Sequence, residues 1–528
     1  MSPGCKFIIV TGGVLSGLGK GVAAASIGHL LADGRKIVPI KLDGYLNVDP
    51  GTMNPIEHGE VFVLDDGSEV DMDFGHYERF LGIKCKSEWN LTMGKVFDEI
   101  RKKERRGDFL GKTVQYIPHV TGFIKNKFHE ISGKENADVM LIEVGGTVGD
   151  IENELYIEAC RQLKKDVGKD NVLYVHLTYV PIPSGVCEQK SKPTQQSVNQ
   201  LRSRGINPDI IIGRCSQHLT PNVKEKIATF CDIDKNAVIT GLDVNNIYDI
   251  PKVFHSEGVG KIVGEHFGFG ELPYNSFWKE TLEKEADKKI KVAICGKYTS
   301  LGDSYASVIE ALDHAGANLG TKIEPVWIET TDVENGEVNH KMMGIDGVIV
   351  PGGFGSRGSE GKINVIKHCR ENNIPFLGLC YGMQLAVVDY ARNVAGLSGA
   401  NSSEVEPKTP NPVIDLLPEQ KDVSEKGATM RLGGYDINVK EGSLAEGIYG
   451  KLARLRFRHR WEINPDYVEK LKNAGLVFSG YSPDERIMQI LELPEHKFFM
   501  ATQAHPELTS KLEKPDGLFF NFVKSCLN

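Results

Sequence analysis

Short apolar runs recur along the chain, and most of them lead into a polar or glycine-rich turn. Runs of this kind predict buried strands, and the longer stretches between them predict helices. Because strands alternate with helices, the sequence predicts an α/β architecture with parallel sheets. The predicted strands cover 7–10, 37–41, 138–143, 172–177, 210–212 and 237–240 in the first half, and 291–297, 347–350 and 375–378 in the second.

The strand pattern fades near residues 268–270, where the first domain is expected to end. Pro273 and a charged stretch follow, and that stretch predicts a helix from Trp278 to Lys289. A chain of 528 residues is too long for a single core. We therefore predict two doubly wound parallel-sheet domains, at residues 1–270 and 291–528, joined by a linker at 271–290.

A glycine-rich turn, from Thr11 to Gly21, joins the first predicted strand to a helix of small residues. Such a turn directs backbone N–H groups and a helix N-terminus at one point, which is how a chain binds phosphate, and Lys20 adds a positive charge. The phosphate-loop motif is incomplete, because Val14 stands at its first glycine position and Gly21 replaces the Ser or Thr that holds Mg²⁺. An ordinary strand-to-helix turn is the alternative, and a metal would need ligands from elsewhere in the chain.

Carboxylates mark two candidate metal positions. Glu143 ends the 138–143 strand, where a phosphate-loop NTPase places a metal-associated acid, and Asp73 follows an acidic run at 65–71. A hard-cation environment and a solvated acidic loop both account for that run. We predict Asp73 and Glu143 as Mg²⁺ ligands, with Lys41 and Asp43 at the same edge of the sheet.

The second half contains a Gly-x-Cys-x-Gly turn around Cys380, between a predicted strand and a predicted helix. This is the nucleophile-elbow pattern with Cys in place of Ser, and the helix N-terminus favours a thiolate there. His505 and Glu507 supply a base and a carboxylate that could orient it, on one face of an extended segment. A lone Cys is usually a core residue, but the glycine framing and the His-x-Glu pair together favour a nucleophile.

Composition and charge limit the classes of partner that this protein is expected to bind. A net charge of −9 and a pI of about 6.0 give no global basic field, so nucleic acid is not an expected partner. The ten cysteines form no C-x-x-C pair, and no apolar run is long enough to span a membrane. With the first strand predicted at Phe7, we expect no signal peptide and a cytoplasmic protein. The loop at 188–197, with Lys190 and Lys192, suits either a polyanion or solvent.

The second half resembles the class I, triad-type glutamine amidotransferases through three motifs: Pro351-Gly-Gly-Phe-Gly355, Gly378-Leu-Cys-Tyr-Gly382 and His505-Pro-Glu507. The whole chain resembles the CTP synthase family, essentially end to end. The motifs of the first half are Thr11 to Gly21, Asn47-Val-Asp-Pro-Gly-Thr-Met53, His58-Gly-Glu-Val-Phe62, Gly75-His-Tyr-Glu-Arg-Phe80, Lys103-Glu-Arg-Arg-Gly-Asp108, Glu143-Val-Gly-Gly-Thr-Val-Gly-Asp-Ile-Glu152 and Lys192-Pro-Thr-Gln195.

The resemblance implies a ligase that makes CTP from UTP, the last step of de novo CTP synthesis. ATP phosphorylates the uracil 4-oxygen, glutamine supplies ammonia, and the products are CTP, glutamate, ADP and phosphate. It also implies Mg²⁺, activation by GTP, feedback inhibition by CTP, and a homotetramer that can stack into filaments. A closed tunnel would carry the ammonia, with Leu110 in its wall segment.

The resemblance also assigns residues. For ATP they are Gly17, Leu18, Gly19, Lys20, Gly21, Val22, Arg214, Asp243 and Val244. For UTP and CTP they are Ser16, Lys41, Asp150, Ile151, Glu152, Lys190, Lys192, Gln195, Lys226 and Phe230. For glutamine they are Gly353, Tyr381, Gly382, Met383, Gln384, Glu404 and Arg460, and for the GTP region Phe354, Arg431 and Arg458.

The sequence departs from the family pattern at a few positions. Gly44 stands where proline is common, which predicts a looser loop near UTP, and the 455–461 run differs from the usual Arg-His-Arg-His-Arg-Tyr, which bears on the GTP response. Three alternatives stay open: a phosphate-loop ATPase switch fused to an unrelated glutaminase, a structural filament protein, and another amidotransferase-ligase. Retention of Cys380 and Lys20 argues against the second, and Lys192-Pro-Thr-Gln195 argues against the third.

Overall fold

A computed structural model describes residues 4–53, 59–284, 286, 288–297, 302–335, 337–416 and 430–528. The chain forms two compact units: Met1–Asp49 with His76–Leu282, and Pro50–Gly75 with Glu283–Asn528. The segment Pro50–Gly75 therefore belongs to the second unit although it precedes most of the first in sequence, which the strand pattern did not predict. Within the described ranges, no helix has both the length and the apolar character needed to cross a bilayer.

The first unit is built on a seven-stranded sheet. All of its strand pairs are parallel, in the order β5-β2-β6-β1-β7-β8-β9, which confirms the predicted doubly wound architecture. The strands of the first half are β1 (Lys6–Gly12), β2 (Ile37–Asp43), β3 (Phe62–Val63), β4 (Glu69–Val70), β5 (Asn90–Thr92), β6 (Val139–Val144), β7 (Val172–Tyr179), β8 (Ile210–Cys215) and β9 (Val238–Leu242). Strand β5 was not predicted, because it is only three residues long and two of them are polar.

Helix α1 (Lys20–Leu31) starts directly after the glycine-rich turn and lies close against the sheet. Gly28 makes this approach possible, because a Cβ there would lie 2.8 Å from Leu81 and 3.2 Å from Leu141 of β6. The other helices of this half are α2 (Asp73–Leu81), α3 (Met93–Arg106), α4 (Thr121–Glu135), α5 (Glu154–Val167), α6 (Lys192–Ser203), α7 (Pro221–Cys231), α8 (Ile250–Ser256), α9 (Val259–Phe267) and α10 (Ser276–Leu282).

The predicted helix from Trp278 to Lys289 is wrong beyond Leu282. Helix α10 ends there, and strand β10 (Lys288–Gly296) already begins at Lys288. The reason is tertiary: Lys288 and Lys289 continue the register of the edge strand β11 (Thr321–Glu329), and Lys289 pairs with Glu324 at 2.6 Å.

The second unit has a nine-stranded sheet that is only partly parallel. The order is β11-β10-β12-β13-β21-β20-β19-β16-β17; the first five strands are parallel and the remaining four add antiparallel pairs. The predicted parallel sheet is thus confirmed for one half and corrected for the other. Its strands are β12 (Gly347–Val350), β13 (Phe376–Leu379), β16 (Arg431–Val439), β17 (Leu452–His459), β19 (Val477–Tyr481), β20 (Met488–Glu492) and β21 (Phe499–Thr502), besides β10 and β11.

Smaller elements complete the second unit. Strands β14 (Ala400–Ser402), β15 (Asn411–Leu416) and β18 (Trp461–Ile463) form a three-stranded sheet, and β3 and β4 form an antiparallel pair. The helices are α11 (Ala306–Leu319), α12 (Ser359–Asn372), α13 (Tyr381–Asn393), α14 (Leu444–Tyr449), α15 (Pro465–Asn473) and α16 (Gly517–Cys526).

Candidate functional site

The glycine-rich turn of the first unit contains three residues with left-handed backbone. Gly17 and Gly19 have φ of 73° and 81°, and Val14 has φ of 87°, a conformation that side chains rarely adopt. Val14 therefore takes the backbone shape that glycine has in the motif, despite its branched side chain. Lys20 opens α1, and its Nζ donates to the Gly146 carbonyl at 2.7 Å.

A buried polar chain lies beneath this turn. Thr11 Oγ1 is 2.8 Å from His176 Nδ1, and His176 Nε2 is 2.8 Å from Ser197 Oγ on α6. Burial and the charge of Lys20 lower the pKa of His176 to about 3, so the ring is neutral. Gly13 must be glycine here, because a Cβ would lie 1.7 Å from Ser197 Oγ. The phosphate loop is thereby packed onto the helix that carries Lys192 and Gln195.

A largely apolar cavity opens beside this loop, at the carboxyl ends of β8 and β9. Arg214 lies at its rim, where Nη1 donates to the Gly17 carbonyl at 2.7 Å and Nε donates to Asp243 Oδ1 at 2.8 Å. The apolar lining suits a planar base. Six of the nine predicted ATP residues line this cavity: Leu18, Gly19, Val22, Arg214, Asp243 and Val244.

The carboxylate at the end of β6 sits in a charged, buried cluster. Glu143 Oε1 accepts from Lys41 Nζ at 2.8 Å, and Tyr77 donates its hydroxyl to the other carboxylate oxygen. Asp43 Oδ1 lies 3.9 Å from the same ammonium. The parallel register of β2 and β6 places Lys41 opposite Glu143, so this pair is a direct result of strand order. Asp73 is the first residue of α2, and its N–H donates to Asp71 Oδ1 at 2.9 Å.

Of the predicted pyrimidine-nucleotide residues, Lys41 lies in β2 and the others lie on loops and helices of the first unit. Helix α6 packs against α7, which carries Lys226 and Phe230. The loop at Gly44 is more closely packed than the sequence predicts, since a Cβ there would lie 2.7 Å from Asn153 Oδ1 and 2.8 Å from Glu152 Cγ. Lys41 and Gln195 are buried and Lys190 is half-buried; the exposed members are Ser16, Asp150, Ile151, Glu152, Lys192, Lys226 and Phe230.

Cys380 forms a strained turn between β13 and α13 of the second unit. Its φ of 49° and ψ of −100° are unusual for a residue with a side chain, and strain of this kind is common at functional sites. Its N–H donates to the Thr502 carbonyl at 2.7 Å, and Gln503 Nε2 donates to its Sγ at 3.4 Å. The thiol is therefore held in one position at the carboxyl end of β13.

His505 reaches the same position because β13 and β21 are parallel neighbours. Its Nδ1–H donates to Glu507 Oε1 at 2.7 Å, while its Nε2 has no hydrogen-bond partner among the described residues. Burial disfavours the imidazolium, but the negative charges of Glu507 and Cys380 outweigh it and raise the pKa of His505 well above its usual value. Glu507 lies in a 3₁₀ turn, Pro506–Leu508, rather than on the extended segment we predicted.

Gly352 leaves room for the His505 imidazole and the Cys380 side chain to lie close to its backbone. A Cβ at Gly352 would lie 2.9 Å from His505 Cε1 and 3.8 Å from Cys380 Cβ. A cavity opens over Cys380, His505 and Glu507. This arrangement of thiol, imidazole and carboxylate is that of nucleophilic acyl transfer.

The predicted glutamine residues fall into two groups. Glu404 and Tyr381 hold the loop that follows Gly353, since Glu404 Oε1 accepts from the Gly355 N–H at 3.0 Å and the Tyr381 hydroxyl donates to the Gly355 carbonyl at 2.7 Å. Burial raises the pKa of Glu404. Three of the others lie deeper. Met383 is in the core, a Cβ on Gly382 would meet the Val350 carbonyl at 2.1 Å, and Gln384 donates to the Trp461 carbonyl at 2.9 Å. Arg460 lies between β17 and β18.

The acidic run at 65–71 is neither a solvated loop nor a cation site on its own. Asp65 and Glu69, beside the β3–β4 pair, meet the arginines that alternate along β17. Arg458 Nε donates to Glu69 Oε1 at 2.7 Å, and Arg454 Nη2 lies 3.3 Å from Asp65 Oδ2. Glu69 is only 3% exposed. This ladder ties Pro50–Gly75 to the second unit and corrects both interpretations made from the sequence.

The predicted GTP residues lie near this ladder and the cavity above Cys380. Phe354 is exposed, with Lys297 Nζ 4.0 Å from its ring centroid, and Arg458 lines the cavity. Arg431 stacks on the Tyr435 ring at 3.9 Å. Leu110, the predicted tunnel residue, is 89% exposed.

Sequence reasoning missed several residues of the cavity above Cys380. Glu60 lines it and accepts from the Ser307 N–H at 2.9 Å, and Lys297 and Tyr305 line it as well. A lysine at the carboxyl end of a predicted strand was a usable signal for Lys297. Nothing in the local pattern pointed to Glu60, because its place depends on the Arg–carboxylate ladder.

Comparison with known proteins covers both units. The family described as "CTP synthase N-terminus" matches residues 6–269, and "Glutamine amidotransferase class-I" matches residues 300–525. CTP synthase of Carboxydothermus hydrogenoformans is 52% identical, with 99% of this chain and 98% of that protein covered. CTP synthase of Borreliella afzelii is 49% identical with full coverage of both, and that of Archaeoglobus fulgidus is 49% identical over 99% and 98%.

A solved structure of the glutaminase domain of Trypanosoma brucei CTPS, with bound acivicin, is 34% identical over 45% of this chain and 94% of that chain, with a TM-score of 0.43. The matches to the curated relatives span nearly the whole of both chains. The chain belongs to the CTP synthase family and is a ligase that makes CTP from UTP in an ATP- and glutamine-dependent reaction.

Proposed function

We propose that the two sites described above carry out the two halves of this reaction. Glutamine hydrolysis belongs to the cavity over Cys380, and phosphorylation and amination of UTP belong to the sheet edge around Lys20 and Lys41. The observation that carries the proposal is that each unit has its own complete constellation: Cys380, His505 and Glu507 in one, and the phosphate loop with its adjacent cavity in the other.

In the glutaminase half, the Cys380 thiolate attacks the carboxamide carbon of glutamine, and a C–S bond forms. The backbone N–H groups of Gly353 and Tyr381 are our candidates for holding the resulting oxyanion. His505 gives its proton to the departing nitrogen as the C–N bond breaks, which releases ammonia. Water then attacks the thioester and His505 takes its proton. The C–S bond breaks, which releases glutamate and restores the Cys380 thiolate. Glu507 keeps His505 in the tautomer that points Nε2 at the thiol.

In the synthetase half, the uracil 4-oxygen attacks the γ-phosphorus of ATP and ADP leaves. The phosphorylated oxygen is then a good leaving group, so ammonia adds at C4 and inorganic phosphate departs. Lys20 and Lys41 neutralise charge on the transferring phosphoryl group. Lys41 is buried and held by Glu143 at 2.8 Å, so its ammonium is fixed before substrates bind.

We further propose that Asp73 and Glu143 hold Mg²⁺. Two carboxylates fit this ion, which usually binds one or two side-chain carboxylates together with nucleotide phosphates. Glu143 fits the role because it is buried at the strand end beside Lys41 and Tyr77, with both oxygens already oriented. When bound, Mg²⁺ supplies positive charge that offsets the negative charge of the triphosphate. Lys20 and Lys41 then bind and orient the phosphates.

Membership of the CTP synthase family also supports proposals about regulation by nucleotides and about assembly. We propose GTP as an activator that uses Phe354, Arg431 and Arg458, and CTP as a feedback inhibitor whose base lies near Glu152 and Phe230. The exposure of Phe354 and Phe230, large apolar side chains, supports a role in stacking against bases. We also propose a cytoplasmic homotetramer, able to form filaments.

The Arg214→Ala variant should bind ATP more weakly. It loses the contacts to Gly17 and Asp243, and one charge-assisted hydrogen bond is equivalent to roughly a tenfold change in affinity. We expect the KM for ATP in ammonia-dependent CTP synthesis to rise about tenfold while the KM for UTP stays the same. Arg161→Ala, which removes an exposed arginine on α5, is the control. An equal rise in both KM values would remove Arg214 from the ATP site.

The Glu507→Gln variant should lose glutamine-dependent activity but not ammonia-dependent synthesis. The amide has nearly the same shape, but it lacks the charge that raises the pKa of His505. We expect kcat with glutamine to fall by about 10²- to 10⁴-fold. Because the lowered pKa leaves less imidazolium as pH rises, the remaining activity should decline at a lower pH than in the wild type. Glu495→Gln, at an exposed site, is the control; a loss of ammonia-dependent synthesis would contradict the assignment.

A further inference from the structure

Lys362 is a buried cation beside the glutaminase site that neither half-reaction has used so far. Its side chain is 1% exposed, on the first turn of α12. No carboxylate lies within ion-pair distance of its ammonium among the residues the structure describes, and its aromatic neighbour is the Tyr381 ring, with the centroid 5.0 Å from Nζ. A buried charge without a partner is strongly unfavourable, so its presence calls for a compensating role.

Two features make this position still less favourable for a cation. A lysine on the first turn of a helix faces the positive end of the helix dipole. A second cation, Lys297 at the end of β10, faces the same region. Burial and the charge of Lys297 lower the pKa of Lys362 to about 8, so most of the ammonium remains charged at neutral pH. The other ionisable groups that face it are Cys295, Glu329 and Cys380.

The Lys362 ammonium lies close to the residues that surround the Cys380 thiol. A Cβ on Gly353 would lie 3.2 Å from Lys362 Nζ, so the ammonium rests directly against the Gly353 backbone. Tyr381, the other residue it touches, is the neighbour of Cys380 in the elbow. Gly353 and Tyr381 are the two residues whose N–H groups we assign to the oxyanion. The cation thus lies next to both residues of the proposed oxyanion hole.

We propose that Lys362 is a positioning residue of glutamine hydrolysis: its buried ammonium provides the positive potential, next to Gly353 and Tyr381, that stabilises the Cys380 thiolate and the oxyanion. The compensating negative charge lies on the Cys380 thiolate and, during the reaction, on the oxyanion, which explains why the cation has no carboxylate partner. Preorganised charge in a water-excluded site is an effective way to stabilise a transition state. The inference rests on the proposed role of Cys380.

The test compares Lys362→Met and Lys362→Gln with Lys367→Met, which removes a less buried lysine from the same helix. We expect kcat/KM for glutamine to fall at least about tenfold in both Lys362 variants and to stay unchanged in Lys367→Met. Ammonia-dependent CTP synthesis should be unaffected in all three, because it does not use the thiol. Mass spectrometry of the Cys380 peptide should show half-maximal iodoacetamide alkylation about one pH unit higher, a tenfold change in thiolate at neutral pH.

An unchanged alkylation profile with lower glutaminase activity would overturn the proposal, because it would indicate a packing role for Lys362. Equal losses in Lys362→Met and Lys367→Met would also overturn it. If Lys362→Met fails to fold and loses ammonia-dependent synthesis, the alkylation profile of Lys362→Gln decides. If iodoacetamide leaves wild-type glutamine hydrolysis intact, the assignment of Cys380 fails instead, so the two failures are distinguishable.

Discussion

We expect the Cys380→Ala variant to lose glutamine-dependent CTP synthesis and to keep ammonia-dependent synthesis in full. Cys380 is the only thiol in the cavity that also holds His505 and Glu507, within the part of the chain that the structure describes. Without it no thioester can form, and removal of a nucleophile of this kind lowers kcat by more than about 10⁴-fold. Added ammonia bypasses that step, so the synthetase half should be unaffected.

The measurement is the formation of CTP from UTP and ATP, with either glutamine or an ammonium salt as the nitrogen source. Cys187→Ala, which removes the exposed cysteine, should behave as wild type with both sources. Loss of both activities in a folded Cys380→Ala protein would contradict the assignment of two separate sites. Retention of glutamine-dependent synthesis would show that Cys380 is not the nucleophile.

The Lys20→Ala variant should have the opposite pattern and stop CTP synthesis with either nitrogen source. Lys20 opens α1 at the phosphate loop and donates to the Gly146 carbonyl at 2.7 Å, which fixes its ammonium at the loop. A positioned cation on a transferring phosphoryl group contributes about 10³-fold or more to the rate. We therefore expect a loss of at least about 10³-fold in ammonia-dependent synthesis.

Two controls separate this loss from a folding defect. Lys261→Ala, on the exposed face of α9, should leave synthesis unchanged. Hydrolysis of glutamine to glutamate by Lys20→Ala should persist at the wild-type basal level, because Cys380 and its partners belong to the other unit. Appreciable CTP synthesis by Lys20→Ala, with ammonia or glutamine, would remove Lys20 from phosphoryl transfer.

The comparisons bear on the alternatives that the sequence left open. A phosphate-loop ATPase fused to an unrelated glutaminase would share only one half with any CTP synthase. The relatives instead match over nearly the whole of both chains, at 49% to 52% identity. The paired variants Cys380→Ala and Lys20→Ala then test the residues, since a protein with a purely structural role would be insensitive to both.

Several features were predictable from the sequence because they are local. The strands around Ile8, Leu141 and Ile212 are short buried apolar runs, and a run of consecutive apolar residues predicts a buried strand. The elbow at Cys380 and the turn before Lys20 were also predictable, because their glycines are needed for conformations or close approaches that other residues resist. The parallel first sheet and the parallel half of the second follow from the alternation of these elements.

Other features depend on residues far apart in the chain. The antiparallel strands β16, β17, β19 and β20 form because a mixed sheet continues beyond β21, and their sequences do not specify that neighbour. The acidic run at 65–71 looked like a solvated loop or a cation site until β17 placed Arg454 and Arg458 against Asp65 and Glu69. The predicted looseness at Gly44 is replaced by close packing against Glu152 and Asn153.

The sequence by itself therefore determined the two α/β units, the phosphate loop, the Cys–His–Glu constellation and the family. Each of these depends on short-range patterns or on residue types whose chemistry is specific. Only the tertiary structure decided which charges meet: Lys41 with Glu143 through the register of β2 and β6, and Glu69 with Arg458. It also placed Lys362 beyond ion-pair distance of every carboxylate of the described residues. The physical reason is that burial and pairing of a charge depend on neighbours supplied by distant segments, and the sequence pattern around a lysine does not reveal them.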